Sequence, residues 1–255
     1  MSNKKNTKVK TAPKGTKTQS KGQKTQPKTE TKLSASALIM IVISILLVGA
    51  IIFTVILTST KRDPLEGFVE DTSTEKKDFY YVAMAVKNHG VIVLKLDAIN
   101  APITTANFVK LVREGFYDGL TFHRVIDNFM IQGGDPNADG TGGSPNKIIG
   151  EFSNNGIMNT IAHERGVISM ARSSASMDSA SSQFFICNAT NYSVSGLDGS
   201  YAAFGHVIEG MDIVDSITDA TAPYGDSNGT IANRKRQAVI TRVMVIDYVE
   251  ADNAN

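Results

Sequence analysis

The chain has 255 residues, of which 42% are hydrophobic and 20% charged, an ordinary balance for a globular protein. Its one cysteine, Cys187, excludes an internal disulfide and leaves the redox compartment unread. The formal net charge of +1 conceals an asymmetry: residues 1–32 hold ten lysines against Glu30, about +9, while residues 33–255 hold 16 basic and 24 acidic residues, about −8.

Residues 1–32 contain Lys, Thr, Gln, Ser and Gly and almost no large apolar side chain. Nothing there offsets the entropy of ordering, so a disordered tail is expected. Residues 38–57, LIMIVISILLVGAIIFTVIL, follow without a single charge. Twenty residues of helix span about 30 Å, the thickness of the hydrocarbon core, so a transmembrane anchor is predicted over 33–60. The run is longer than the apolar part of a cleaved leader, and no small-x-small cleavage site follows promptly, since the exit reads TSTKRDP. No cysteine at its end offers a lipoprotein anchor.

The ten lysines before the run, against Lys61 and Arg62 close behind it, place the amino terminus in the cytoplasm and residues 61–255 outside. Membrane lipid is thus the expected partner of residues 38–57, and anionic lipid of the tail. Lysine without arginine or aromatics gives no base-reading signal, which argues against nucleic acid.

Residues 61–78 are polar, with Pro64 and Gly67, and read as a stalk before a domain over 79–250. Val82, Met84 and Val86 alternate, as do Val91 and Val93, around His89-Gly90, which predicts a hairpin. Pro102 opens a helix carrying Phe108, Val109, Leu111 and Val112, and Gly115 stops it. Short strands are predicted near 121–126, 129–133, 166–170, 183–187 and 202–208. A second helix runs from Gly210-Met211 to about Ile217, and a long strand covers 238–249. Many short strands with two helices argue for a mainly β domain, closed or sandwich-like.

Several local motifs fail on inspection. DPNADG (135–140) matches half of a calcium loop, but Asn146 stands where a bidentate Glu is required. GGDPNADGTGG lacks the Gly-Lys-Ser/Thr of a nucleotide loop. His89, His123, His163 and His206 lack metal-ligand spacing, and Ser181 and Ser182 sit in no nucleophile elbow. Asn188, Asn191 and Asn228 are formal glycosylation acceptors that matter only in a glycosylating host. Cys187, among Phe184, Phe185 and Ile186, reads as a buried thiol. Arg234-Lys235-Arg236 reads as a solvated basic loop. No cofactor is called for.

Four stretches share one character: FHRVIDNFMIQGGD (122–135), GVISMAR (166–172), SSQFFICNA (181–189) and LDGSYAAFGHV (197–207). In this order they resemble the cyclophilin family of peptidyl-prolyl cis–trans isomerases, over about residues 79–250. The resemblance implies a closed eight-stranded antiparallel β-barrel capped by two helices, with the site on an outer face. It implies Arg124 and Gln132 as catalytic residues. Phe129, Met130, Phe185 and Leu197 would line a proline slot, and Ala171, Arg172 and Gln183 would meet the residues before proline. Gln132 would hold Arg124 and bond substrate backbone, while His123 and His163 would be structural. Proline-containing polypeptides, unfolded or exported, are the implied partners.

Two positions depart from the family pattern. Gly196 stands where many members carry Trp, which implies weak sensitivity to cyclosporin, and Tyr201 stands where many carry His. Tyr201 still walls the slot and offers a hydroxyl. Two other readings share these residues: a non-catalytic chaperone or scaffold that binds proline segments, and a tethering protein whose work lies in the Lys-rich tail.

Overall fold

The computed structural model describes residues 34–59, without the side chains of 53–59, and residues 63–249. The tail expected over 1–32 lies outside the described residues. The chain divides into two units, Met1–Thr60 and Lys61–Asn255. In the first, helix α1 covers Ala35–Ser59, and its 25 residues make about 38 Å of helix. The stretch Ala35–Ile52 is long and apolar enough to cross a membrane, and none of its side chains is buried. An apolar surface on every face cannot belong to the core of a soluble domain unless something covers it.

The second unit is mainly antiparallel β. Its strands are β1 (Val69–Glu70), β2 (Phe79–Val86), β3 (Gly90–Asp97), β4 (Thr121–Phe122), β5 (Arg124–Ile126), β6 (Met130–Gly133), β7 (Val167–Met170), β8 (Phe184–Cys187), β9 (Ala203–Glu209) and β10 (Ala238–Asp247). Helices α2 (Pro102–Arg113), α3 (Tyr192–Ser195) and α4 (Met211–Thr221) lie between them. The strand order is β1-β10-β2-β3-β9-β7-β8-β6-β5, and β4 pairs with β10.

This corrects the expected closed ring of eight strands: among the described residues ten are present and the pairing order is open. The two additional strands have local causes. His123 alone interrupts β4 and β5, so that one side of the break pairs with β10 and the other with β6. The other addition, β1, comes from the segment read as a stalk. There, Leu65 is buried with Ala83, Ala85, Val93, Met244 and Ile246, and Val69 and Glu70 pair with Asp247 and Ile246. Strand β2 explains this: Val82, Met84 and Val86 face the main core, but Ala83 and Ala85 make the opposite face apolar too. An apolar sheet face needs a cover, and Leu65 and Phe68 supply it. Asp71 fixes the end of the cover, accepting from Lys77 Nζ at 2.9 Å. Burial alone would raise the Asp71 carboxyl, but Lys77, the Ser73 N–H and Arg113 outweigh it and hold it below the usual range.

Helix α2 starts at Pro102 as the sequence predicts, but its N-terminus is satisfied from a distance. The buried Glu151 carboxylate accepts from Ile103 N at 3.0 Å and Thr104 N at 2.7 Å. An acceptor with negative charge suits the exposed N–H groups and the positive end of the helix dipole. Helix α4 runs to Thr221, one turn beyond its predicted end. The short α3 is an addition to the two predicted helices, capped by Asn191 Oδ1 accepting from Val194 N at 3.1 Å.

Candidate active site

Strand register assembles the site. Arg124 on β5 is directly opposite Gln132 on β6, Gln132 is opposite Phe185 on β8, and Phe185 is opposite Ser169 on β7. Directly paired residues project to one face of a sheet, so a single row carries all four side chains on the same side. The neighbouring row, Ile126–Met130–Cys187, lies on that side as well. The residues between, Val125, Ile131, Ile186 and Ile168, project oppositely into the main core.

On the outer side, Arg124, Phe129, Met130, Gln132, Ala171, Arg172, Phe185, Leu197 and Tyr201 line one cavity of about 270 Å3. The remaining expected residue, Gln183, borders an adjoining cavity of about 620 Å3, formed with Gly140–Ser144, Lys147 and serines of 173–181. Gln132, Ala171 and Arg172 border both.

The Arg124 guanidinium is fixed at two points. Nε donates to the Asn228 carbonyl at 2.8 Å and Nη1 to Gln132 Oε1 at 3.1 Å. Among the described residues, Nη2 has no acceptor. Burial pulls the Arg124 pKa down, opposed by Tyr201 and Asp226, from a value so high that the group stays charged. Gln132 Nε2 donates to Gln183 Oε1 at 2.9 Å, and Gln183 Nε2 donates to the carbonyls of Gly140 and Gly142 at 3.0 and 2.7 Å. One Gln132 N–H and one carbonyl lone pair are thus engaged within the protein, which holds Arg124 and leaves the second N–H without a partner among the described residues.

The apolar wall is equally constrained. Phe185 stacks on His163 at 6.0 Å and meets the edge of Tyr201 at 5.7 Å. His163 is buried; its Nδ1 contacts Asp198 Oδ1 at 2.8 Å and its Nε2 contacts Ser169 Oγ at 3.0 Å. Burial pushes the His163 pKa down, and the Asp198 bond only partly offsets this. The neutral ring therefore donates from Nδ1 and accepts at Nε2.

At the rim, the Arg172 guanidinium lies 5.3 Å from the Phe152 ring and 5.0 Å from the Tyr201 ring, and Nε donates to the Ser200 carbonyl at 2.8 Å. Gly196 ends α3 with φ −64° and ψ −9°, ordinary helical angles that any residue adopts.

The sequence reading missed Asn228 and Ser200, which act through backbone carbonyls and leave no residue-type signal. It also missed Phe152, whose aromatic character was the one available clue. Among the described residues, no group of three or more His, Cys, Asp and Glu could hold a metal ion. Asp135 of the rejected calcium loop accepts instead from the N–H groups of Asn137, Asp139 and Gly140.

Residues 81–245 match the family model described as cyclophilin type peptidyl-prolyl cis-trans isomerase/CLD. The chain is 45% identical over 141 residues to a peptidyl-prolyl cis-trans isomerase of Acinetobacter baylyi, covering 54% of this chain and 72% of that protein. It is 43% identical over 157 residues to one from Helicobacter pylori, covering 61% and 90% respectively. Among solved structures, a cyclophilin type peptidyl-prolyl cis-trans isomerase of Cryptosporidium parvum, crystallised in the presence of the dipeptide Ala-Pro, is similar with a TM-score of 0.56 and 26% identity. It covers 66% of this chain and 99% of that one. A matched domain of this extent, with one outer cavity gathering Arg124, Gln132 and the aromatic wall, makes the chain a member of the cyclophilin family of peptidyl-prolyl cis–trans isomerases.

Proposed function

We propose that this isomerase turns X–Pro bonds by presenting the Arg124 guanidinium to the prolyl nitrogen of a peptide whose ring enters the cavity walled by Phe129, Met130, Phe185 and Leu197. The planar amide resists rotation by about 20 kcal/mol because twisting it sacrifices resonance. Loss of resonance returns the lone pair to nitrogen, which becomes pyramidal and a better acceptor. A fixed cationic donor then stabilises the twisted state more than either planar one. No bond is broken, and no nucleophile or titrating base is required.

The observation that carries this reading is the two-point fixation of Arg124 with Nη2 unengaged, at the border of an apolar cavity. The Ala-Pro dipeptide present with the Cryptosporidium relative supports a proline-containing partner here. The test is a proline-limited refolding assay. Arg124→Ala should lower catalysis about 100-fold, the usual scale for removing one aligned donor. Equal rates for variant and wild type would overturn the mechanism.

The cellular role follows from the first unit. We propose that α1 anchors the enzyme in a membrane, with the Lys-rich amino terminus in the cytoplasm and the isomerase domain outside, acting on exported chains. The apolar surface of Ala35–Ile52 and the ten preceding lysines support this. Protease treatment of intact cells tests it: the domain should be cleaved from outside, and full protection would refute the orientation.

A further inference from the structure

A third cleft, of about 320 Å3, opens between the β2–β3 turn, the end of α4 and the start of β10. Lys87, Lys235 and Arg236 line it together with Tyr224, and among the described residues no carboxylate does. Arg236 lies 4.6 Å from the Tyr224 ring, and its Nη1 donates to the Tyr224 hydroxyl at 3.2 Å. Lys87 and Lys235 have no acidic partner among the described residues, whereas Lys77, Lys110, Arg165 and Arg242 pair with Asp71, Glu114, Asp215 and Asp63. The turn that presents Lys87 holds Asn88 at φ +65°, a left-handed conformation that asparagine adopts readily in hairpin turns.

Residues 33–255 carry about −8 overall, so this basic concavity stands against the charge of the segment that forms it. Three cations lining one cleft without a carboxylate among the described lining residues give its walls one sign, and such a cleft concentrates its field on whatever enters. We infer that this cleft binds a phosphate-type anion, either free phosphate or pyrophosphate or the phosphate of a lipid headgroup. Such an anion brings the multiple acceptor oxygens and charge that one guanidinium, two ammonium groups and a phenol can engage at once. A carboxylate, with one charge and two oxygens, satisfies fewer of them. The lipid source rests on the membrane reading above; the free-phosphate source does not.

The test uses the full chain in phosphatidylcholine nanodiscs and isothermal titration calorimetry with two soluble probes, inorganic pyrophosphate and glycerophosphoglycerol, the deacylated headgroup of phosphatidylglycerol. The triple variant Lys87→Gln/Lys235→Gln/Arg236→Gln should bind at least one probe about tenfold more weakly than wild type. Arg234→Gln, a charge outside the cleft lining, should stay within about twofold. Lysines of the tail contribute equally to every protein and cancel in the comparison. Loss for pyrophosphate alone assigns a free phosphate; loss that includes the headgroup probe assigns a lipid. Equal binding of both probes by wild type and triple variant would overturn the proposal, as would an equal loss in Arg234→Gln. Isomerase activity reports that the variants are folded, because none of these residues lines the isomerase cavity. The double variant Lys87→Gln/Lys235→Gln decides the matter if the triple loses it.

Discussion

Gln132 offers the sharpest test of how the cation is used. It holds one edge of the Arg124 guanidinium, and Gln183 holds it in turn. Replacement by leucine keeps the volume and removes both bonds. A hydrogen bond to a charged group is worth about 1.5–3 kcal/mol net, and the Nε bond to Asn228 survives, so the lower end applies. About 1.5 kcal/mol corresponds to about a tenfold fall in kcat/KM, one decade per 1.36 kcal/mol.

If Gln132 works through Arg124, the loss should fall mainly on kcat, since the proline-slot walls are untouched. The decisive measurement is a double-mutant cycle with a short X-Pro peptide. In an Arg124→Ala background, Gln132→Leu should cost less than about twofold, because the group it positions has gone. A further full tenfold loss in that background would show that Gln132 acts independently, and the relay from Gln183 to Arg124 would be refuted.

Acid should unfold this domain early. Burial pushes His123 and His163 below their usual 6.5 in the folded state, so the unfolded chain takes up protons first as pH falls. Their stabilising contribution is complete above about pH 6.5 and shrinks below it; the urea midpoint should drop between pH 7.5 and 5.5, and less so in His123→Gln. A midpoint constant over that range would contradict this. Gly134 sits at φ +83°, where an added Cβ would meet the Ser182 carbonyl and lie 3.1 Å from Gln183 Cα. Gly134→Ala should cost at least about 2 kcal/mol and lower Tm by about 5 °C or more in calorimetry; an unchanged Tm would refute the crowding. Burial raises the Cys187 thiol to about 12, so a disulfide reagent at pH 8 should leave the native protein unlabelled and react at once after denaturation. Rapid labelling of the native state would place the thiol at the surface.

The alternation of Val82, Met84 and Val86 gave the core face of β2, whereas on β3 it is Ile92, Leu94 and Leu96 that enter the main core, and Val91 and Val93, whose alternation the sequence offered, lie on the other apolar face. Arg124 and Gln132 were legible for another reason: they stand at the outward positions of strands whose inward neighbours are Val125 and Ile131, inside a motif that resembles the cyclophilin pattern. What stayed hidden depends on partners distant in sequence. Glu151 caps α2 from 47 positions beyond Thr104, and Leu65 covers alanines whose need for a cover is invisible until the sheet forms. The break at His123 was hidden as well, because a single residue parting two strands resembles continuous alternation. Gly196 and Tyr201 were visible as departures, but the contact of Tyr201 with Arg172 required the structure.

The pairing of Arg124, Gln132, Phe185 and Ser169 in one row, with Val125, Ile131, Ile186 and Ile168 between and behind them, has an evolutionary corollary. On that row Arg124 and Gln132 are half-buried while Phe185 and Ser169 are buried, so the half-buried pair is the part of these segments that can change without reopening the body of the protein. A library randomised at Arg124 and Gln132 alone can therefore explore new chemistry at the cavity while most of its members stay soluble, whereas the same diversity shifted to Val125 and Ile131 would yield mainly aggregates.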